Sequence, residues 1–349
     1  MSLERFVRPS STADQKKLLI LYEKNNTNLQ TAIKVKNSDH VRIMTWNIHY
    51  WSKIVANNVP NTDKQAVESK NYQAIINEIA LINPDIVCMQ EVNYGKTNYI
   101  DADLNEELNK IGYILVSFCN TSPSWFVVPY GNAIIVRKDF LWCEGSPLSC
   151  NTVAQRNNIY KNNSEGKSTK CYIETIYKNI KFICTHLDVY DNIGCVREAQ
   201  INELDDYIGS TCPAIIFGDF NLISENDYKG NADDEAWYEH LKTRGNNGNA
   251  FELIKRKGWI DSFEIKGNKP PYTTWNSTRI DFIFFKNFDK ISNIQLQDLI
   301  VDSFVHYTTN SDHIPIIVDL DKTVLAKISS NPLLQTEKCG KVKFYPIIY

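Results

Sequence analysis

The sequence predicts an α/β (α+β) four-layered sandwich in which two packed mixed β-sheets are flanked by helices. Three observations support this. Short β-branched runs bounded by turn residues recur from position 41 to position 320, two of them are close enough to form a hairpin, and the few helical segments are clear and lie outside the strands. With 349 residues, 43% of them apolar, the chain can bury a sizeable core.

The elements follow in order. Residues 1–40 are polar and rich in Asn and Lys, with one amphipathic patch, KKLLILYEK at 16–24, and read as an N-terminal extension with room for one helix. The first strand is expected at 41–46. A helix at 64–82 places Tyr72, Ile75, Ile79 and Ile82 on one face, and Asn83-Pro84 ends it because the residue before proline resists the α conformation. Strands are expected at 85–90, 113–118 and 132–136. The segments 171–177 and 181–185 are split by KNI and read as a β-hairpin. A helix at 196–208 carries Val196, Ala199, Leu204 and Ile208 on one side and stops at Gly209, a usual left-handed cap residue. The last strands are expected at 214–217, 280–285 and 314–320. The stretches 151–170 and 224–249 are long and polar and read as surface loops, which are often functional. This gives one catalytic domain over 41–321 and a weakly patterned tail over 322–349.

Composition excludes some classes. A net charge of −3 advertises no global affinity for polyanions, although a local basic groove remains compatible with it. No apolar run reaches the ~18–20 residues that span a bilayer, and the N-terminus lacks the apolar core of a secretory signal. A soluble, intracellular protein of cytoplasm or nucleus is expected. Nine cysteines without CxxC pairing fit a reduced compartment and not zinc; Cys88 and Cys184 lie inside apolar runs as small hydrophobes.

What rises above a generic α/β domain is how the strands end. VRIMTWNIH delivers Asn47, PDIVCMQEV delivers Glu91 and KFICTHLD delivers His186. CPAIIFGDFNLIS delivers Asp219 and Asn221, STRIDFIFF carries Asp281, and SDHIPIIVDL opens on Asp312-His313. Each ending taken singly is economically a turn. Together, strands of two facing sheets can aim these groups at one rim. Carboxylates meeting there repel unless a cation neutralises them, and oxygen ligands favour hard metals such as Mg²⁺ or Mn²⁺. An Asp beside a His adds a proton-transfer or phosphate-pairing group. His40, His49, His240 and His306 read as bland.

The ordered set TWNI, QEV, THLD, GDFN, RIDFIF and SDH resembles the motif series of the endonuclease/exonuclease/phosphatase (DNase I-like) superfamily, across about four fifths of the chain. The resemblance implies a Mg²⁺- or Mn²⁺-dependent phosphodiester hydrolase. It implies Glu91 as the principal metal ligand, with Asn47 and Asp312 near the metal, and Asp219 as the group that orients or deprotonates water. Asn221 would bond the scissile phosphate, His313 would contact it and Asp281 would orient that histidine, while His186 matches a second catalytic histidine. Arg156 matches a substrate-contacting arginine or is a solvated loop cation, and Asn132 in YGNAI reads as structural first.

Nucleic acid is the expected partner, and DNA binding the expected mode. Trp51, Trp125, Trp237 and Trp275 fall in loop-like positions where they stack on bases or cover sheet edges, and Trp275 just precedes Asp281. A phosphoinositide or inositol phosphatase, or a sphingomyelinase-like lipid phosphodiesterase, is the alternative, but no basic amphipathic anchor is visible. A catalytically inert binding module is the third reading, against which every matched position is present. Gly218 is expected to leave room beside the phosphate, and residues two apart in an extended stretch would turn Asp219 and Asn221 to the same side.

Overall fold

A computed structural model describes residues 34–329 outside the segments 52–60, 94–103, 122–129, 143–153, 156–158, 163–168, 192–193, 230–234, 240–241, 243–248, 268–269, 275–277 and 291–293 and positions 178, 237 and 309. The patch at 16–24, and Trp125, Arg156, Trp237, His240 and Trp275, lie outside the described residues.

Twelve strands form two sheets among the described residues. The first has the order β11-β12-β1-β2-β4-β3-β5 and is built from β1 (His40–Asn47), β2 (Ile86–Asn93), β3 (Tyr113–Asn120), β4 (Tyr130–Arg137), the two-residue β5 (Ala154–Gln155), β11 (Ile300–Val305) and β12 (Ile316–Asp321). The second has the order β6-β7-β8-β10-β9, from β6 (Tyr172–Tyr177), β7 (Ile180–His186), β8 (Ala214–Asp219), β9 (Ile260–Asp261) and β10 (Asp281–Lys286). Both sheets are mixed. β1 runs parallel to β2 and β7 parallel to β8. Each parallel pair needs a crossover, which is supplied by helix α1 (Asn61–Ile82) between β1 and β2. The second crossover is a 14-residue helix, Cys195–Ile208. β6 and β7 form the expected antiparallel hairpin.

The layers follow from alternation. Val41 and Ile43 of β1, Ile86 and Cys88 of β2, and Ile316 and Val318 of β12 face the second sheet. They meet Phe182 and Cys184 of β7, Ile215 and Phe217 of β8, and Ile283 and Phe285 of β10. The opposite phase of β1 and β2, Met44, Trp46, Val87 and Met89, packs under α1 through Ile75, Ile76 and Ile79. On the far side of the second sheet, Ile216, Phe282 and Phe284 pack against Ile201, Leu204 and Ile208 of the second crossover helix, with Phe251 and Ile254. The result is helix, sheet, sheet, helix.

Several elements escape a reading of apolar periodicity. β11 is an edge strand with two buried residues in six, so its pattern is faint. The helix Leu104–Lys110 is seven residues long and buries only Leu104 and Leu108, too little for a 3.6-residue period to show. Lys322–Ser329 is helical, and its Leu325 and Ile328 are buried in the core between the sheets, although 322–349 reads in the sequence as a weakly patterned tail. β2 runs on through Glu91 to Asn93, where the sequence suggests an end at Gln90. The free cysteines Cys88, Cys119, Cys171, Cys184 and Cys212 are buried. Among the described residues no helix is long and apolar enough to cross a membrane.

Candidate catalytic and metal site

The strand-ending polar residues are in phase with the core. Asn47 lies on the face of β1 that buries Val41 and Ile43; His186 continues Phe182 and Cys184, Asp219 continues Ile215 and Phe217, and Asp281 precedes Ile283 and Phe285. A period of two therefore carries each strand's inter-sheet face past its last apolar residue and ends it on a functional group. Register then brings these ends together. His186 pairs with Asp219 across β7–β8, and Asp219 pairs with Asp281 across β8–β10.

Asp219, Asp281 and His313 form the compact centre. Each offers a ligand atom within 4.8 Å of the others, and all three are buried, so together they could hold a metal ion. His313 Nδ1 contacts Asp281 Oδ2 at 2.9 Å and Oδ1 at 3.1 Å, while its Nε2 lies 3.8 Å from Asp219 Oδ2. Burial works against a charge on His313, yet Asp281, aided by Asp219 and Asp312, holds its pKa well above the usual histidine value. Burial, with Asp281 opposite, pushes Asp219 up to about 7, against the pull of His313, Asn47 and Lys170.

Asn47 reaches across the sheets: its Nδ2 donates to Asp219 Oδ2 at 3.0 Å, and its Oδ1 accepts from the His49 amide at 3.0 Å. Glu91 stands beside it, next in sequence to Gln90, the partner of Asn47 in the β1–β2 ladder. A β-bulge between Met89 and Val92 sets Glu91 in the left-handed region at φ 56°, and its half-buried carboxylate has no hydrogen-bond partner among the described residues. A carboxylate with no hydrogen-bond partner among the described residues, held at a strained backbone position, is an oxygen donor that a hard divalent cation fits. Asp312 is more open, with its side chain 40% exposed, and stands 3.6 Å from His49 Nδ1.

His49 thus stands in the site and is not a bland surface histidine. It belongs to a turn, His49-Tyr50-Trp51, whose three residues have φ of 44°, 52° and 65°. Left-handed backbone of this kind costs about 1–2 kcal/mol per residue. Trp51 holds the turn: it is fully buried, its carbonyl accepts from Asn71 Nδ2 at 2.6 Å, and its ring packs edge-on to Tyr72 at 4.6 Å. It is therefore a core anchor and not a base-stacking platform.

Asn221 is 7% exposed and sits at φ 49°. Its amide N–H donates to Asp219 Oδ1 at 2.9 Å and its Nδ2 to the Leu187 carbonyl at 3.1 Å. An Asx turn, and not extended alternation, brings the two side chains near each other, while Phe220 between them is fully buried. Gly218 also has another reason than the one expected. A Cβ there would lie 2.0 Å from the Thr185 carbonyl oxygen on β7, so the missing side chain lets β7 and β8 approach and leaves no space for a phosphate. Asn132 donates to the Cys171 carbonyl at 2.8 Å, a structural bond between the two sheets.

Several neighbours hold the predicted site residues in place. Ser311 Oγ donates to the Asn47 carbonyl at 2.7 Å and accepts from the His313 amide at 3.1 Å, tying the loop that carries His313 to β1. Thr273 Oγ1 accepts from the Ile280 and Asp281 amides at 3.1 and 3.2 Å. Arg279, 1% exposed, bonds both oxygens of Asp227 at 3.3 Å and pairs with Asp261, stacked 4.3 Å from the Phe282 ring, which fixes the start of β10. Lys170, at the end of a stretch that reads as a solvated loop, is buried in the site.

Comparison with known proteins gives a consistent picture. The model of the endonuclease/exonuclease/phosphatase family matches residues 44–313. Nocturnin of Xenopus laevis is 25% identical over 251 residues, 67% of this chain and 57% of its own length. Nocturnin of Mus musculus is 23% identical over 332 residues, 85% of this chain and 69% of its own. Thus the chain spans less than two thirds of the frog relative. Among solved structures, a 3′-5′ exonuclease from Neisseria meningitidis is similar with a TM-score of 0.52 at 16% identity, over 80% of this chain and 100% of that one. An AP endonuclease from Archaeoglobus fulgidus has a TM-score of 0.50 at 17% identity, over 80% of this chain and 99% of that one. Likenesses at this identity show the shared fold.

Proposed function

The chain belongs to the endonuclease/exonuclease/phosphatase family, and from that premise, which makes it a phosphoric ester hydrolase, we propose that it cleaves nucleic-acid phosphodiesters with Mg²⁺ or Mn²⁺ as cofactor. The observation that carries this reading is the meeting of Asp219, Asp281 and His313 within 4.8 Å at the ends of the facing sheets, with the Asn47 amide on Asp219.

Each group has a role its surroundings support. Asp219, with a pKa near 7, takes the proton of an attacking water. His313, kept cationic by Asp281, meets a phosphate oxygen through Nε2, the nitrogen that faces Asp219. Asn221 lines the same wall. Glu91, Asn47 and Asp312 are the residues that would hold the divalent ion, which when bound supplies positive charge to the phosphate oxygens. Arg156, from the resemblance of the sequence, and Trp275, from its loop-like place just ahead of Asp281, are proposed as substrate contacts. Nucleic acid is preferred because the family relatives of similar fold include a 3′-5′ exonuclease and an AP endonuclease. We propose a catalytic domain over 41–321 in a soluble intracellular protein, with the helix Lys322–Ser329 adding Leu325 and Ile328 to its core.

The test is a substrate panel with Mg²⁺: plasmid and single-stranded DNA, RNA, a 5′-tyrosyl oligonucleotide, phosphoinositides and sphingomyelin. Cleavage of nucleic acid is expected. Turnover confined to the lipids would overturn the substrate assignment.

A further inference from the structure

Lys170 precedes β6 and is 7% exposed; its Nζ lies 2.9 Å from Nε2 of His186, itself 5% exposed. An ammonium has three donors and no acceptor. If Lys170 is charged, His186 Nε2 must offer its lone pair, so that the imidazole is neutral with its proton on Nδ1. The alternative, a neutral amine accepting from a charged imidazole, conflicts with the surroundings. Burial lowers the proton affinity of Lys170, against the pull of Glu91, Asp219 and Asp188, and it holds that of His186 well below the usual histidine value, with Lys170 and His313 adding to the fall, so the imidazole is the neutral partner. Two unit charges this close, both withdrawn from water, repel each other strongly.

The geometry also removes His186 as a proton donor through Nε2. That nitrogen lies 3.5 Å from Asp219 Oδ2, but it cannot give a proton to Asp219 while it accepts one from Lys170. The cation on this wall of the site is therefore the lysine.

We propose that Lys170 contacts a non-bridging oxygen of the scissile phosphodiester opposite His313, and that His186 is a positioning residue that holds the Lys170 ammonium in place. This rests on the phosphodiesterase reading above. The site then presents two cations to the phosphate, His313 backed by Asp281 and Lys170 backed by His186, on either side of Asp219.

The test uses the full chain with Mg²⁺ and bis-p-nitrophenyl phosphate. If the wild type hydrolyses neither this ester nor any phosphodiester of the panel, the parent reading fails and the inference with it. Given wild-type turnover, Lys170→Met should lower kcat about 100-fold and weaken inorganic phosphate binding, as loss of one charge-stabilising donor does. Lys170→Arg should recover at least tenfold of that loss. His186→Gln, whose amide oxygen still accepts from the ammonium, should lose no more than about tenfold. In ¹⁵N spectra of the wild type at neutral pH, His186 should show an unprotonated Nε2. A folded Lys170→Met within threefold of wild type would overturn the proposal. So would a His186→Gln variant as inactive as Lys170→Met, or a proton on His186 Nε2. The wild-type spectrum decides the tautomer even if Lys170→Met does not fold.

Discussion

His313 Nδ1 lies 2.9 Å from Asp281 Oδ2, and this bond joins the start of β10 to a loop 32 residues further along the chain. It fixes the orientation of the ring and turns Nε2 toward Asp219. Asp281→Asn keeps the size of the side chain but presents an amide that can orient the ring wrongly and no longer stabilises its charge. The expected result is a kcat lower by on the order of 10²–10⁴ with little change in KM, by analogy with the carboxylate of a catalytic triad. Steady-state kinetics on a phosphodiester ester check it, and a variant of wild-type kcat would show that the pair is merely structural.

Glu91 and Asp219 make different demands on the same reaction. Glu91→Gln should abolish hydrolysis by weakening the divalent ion, so that part of the activity returns as Mn²⁺ is raised. Asp219→Asn should abolish it at every metal concentration, because an amide accepts no proton from water. EDTA should stop the wild type and Mg²⁺ or Mn²⁺ restore it. Turnover that persists in EDTA would contradict the metal assignment.

Gly218 is a packing requirement. In Gly218→Ala the new Cβ meets the Thr185 carbonyl oxygen at 2.0 Å and its carbon at 2.9 Å, both backbone atoms of a central strand. β7 and β8 must part, at about 3 kcal/mol or more. Urea denaturation should show that loss, and activity should fall with it because His186 and Asp219 are register partners on those strands. An unchanged midpoint would refute the close-approach argument.

Asp227 gives a pH dependence away from the catalytic groups. Burial raises its carboxyl to about 6, with Asp261 alongside adding to the shift and Arg279 only partly opposing it. The folded chain therefore binds this proton more tightly than the unfolded one, whose value is 3.8. The corresponding stabilisation is complete below the unfolded value and is lost as the pH rises through about 6. The difference between 3.8 and about 6 corresponds to roughly 2–3 kcal/mol. The stability of wild type relative to Asp227→Asn should thus fall between pH 4.5 and pH 7.5; a difference that is constant or grows with pH would sink the assignment.

Much of this was readable in the chain. Every strand from 41 to 320 that carries a strong β-branched run is present to within a few residues, because burial on both faces demands such runs. The strands that go unread, such as β11, are edge strands with one weak face. The polar endings were legible as an ordered set, yet two of their explanations were not. Asn221 approaches Asp219 through a left-handed turn, and Gly218 answers to Thr185, a neighbour that no local pattern names. Lys170 was hidden for the same reason: in sequence it closes a polar stretch, and only the pairing of Ile159 with Cys171 and of β6 with β7 carries it inward to His186.

The sequence by itself determined the alternation that puts Asn47, His186, Asp219 and Asp281 on the core face of their strands, since parity along a strand is a local property. Tertiary structure alone decided which of these groups touch, because strand order and register join residues as far apart as Asn47 and Asp219. It decided as well how the charges settle, since burial and the company of Asp281 and Lys170 shift the proton affinities of Asp219, His313 and His186, and neither neighbour is adjacent in the chain.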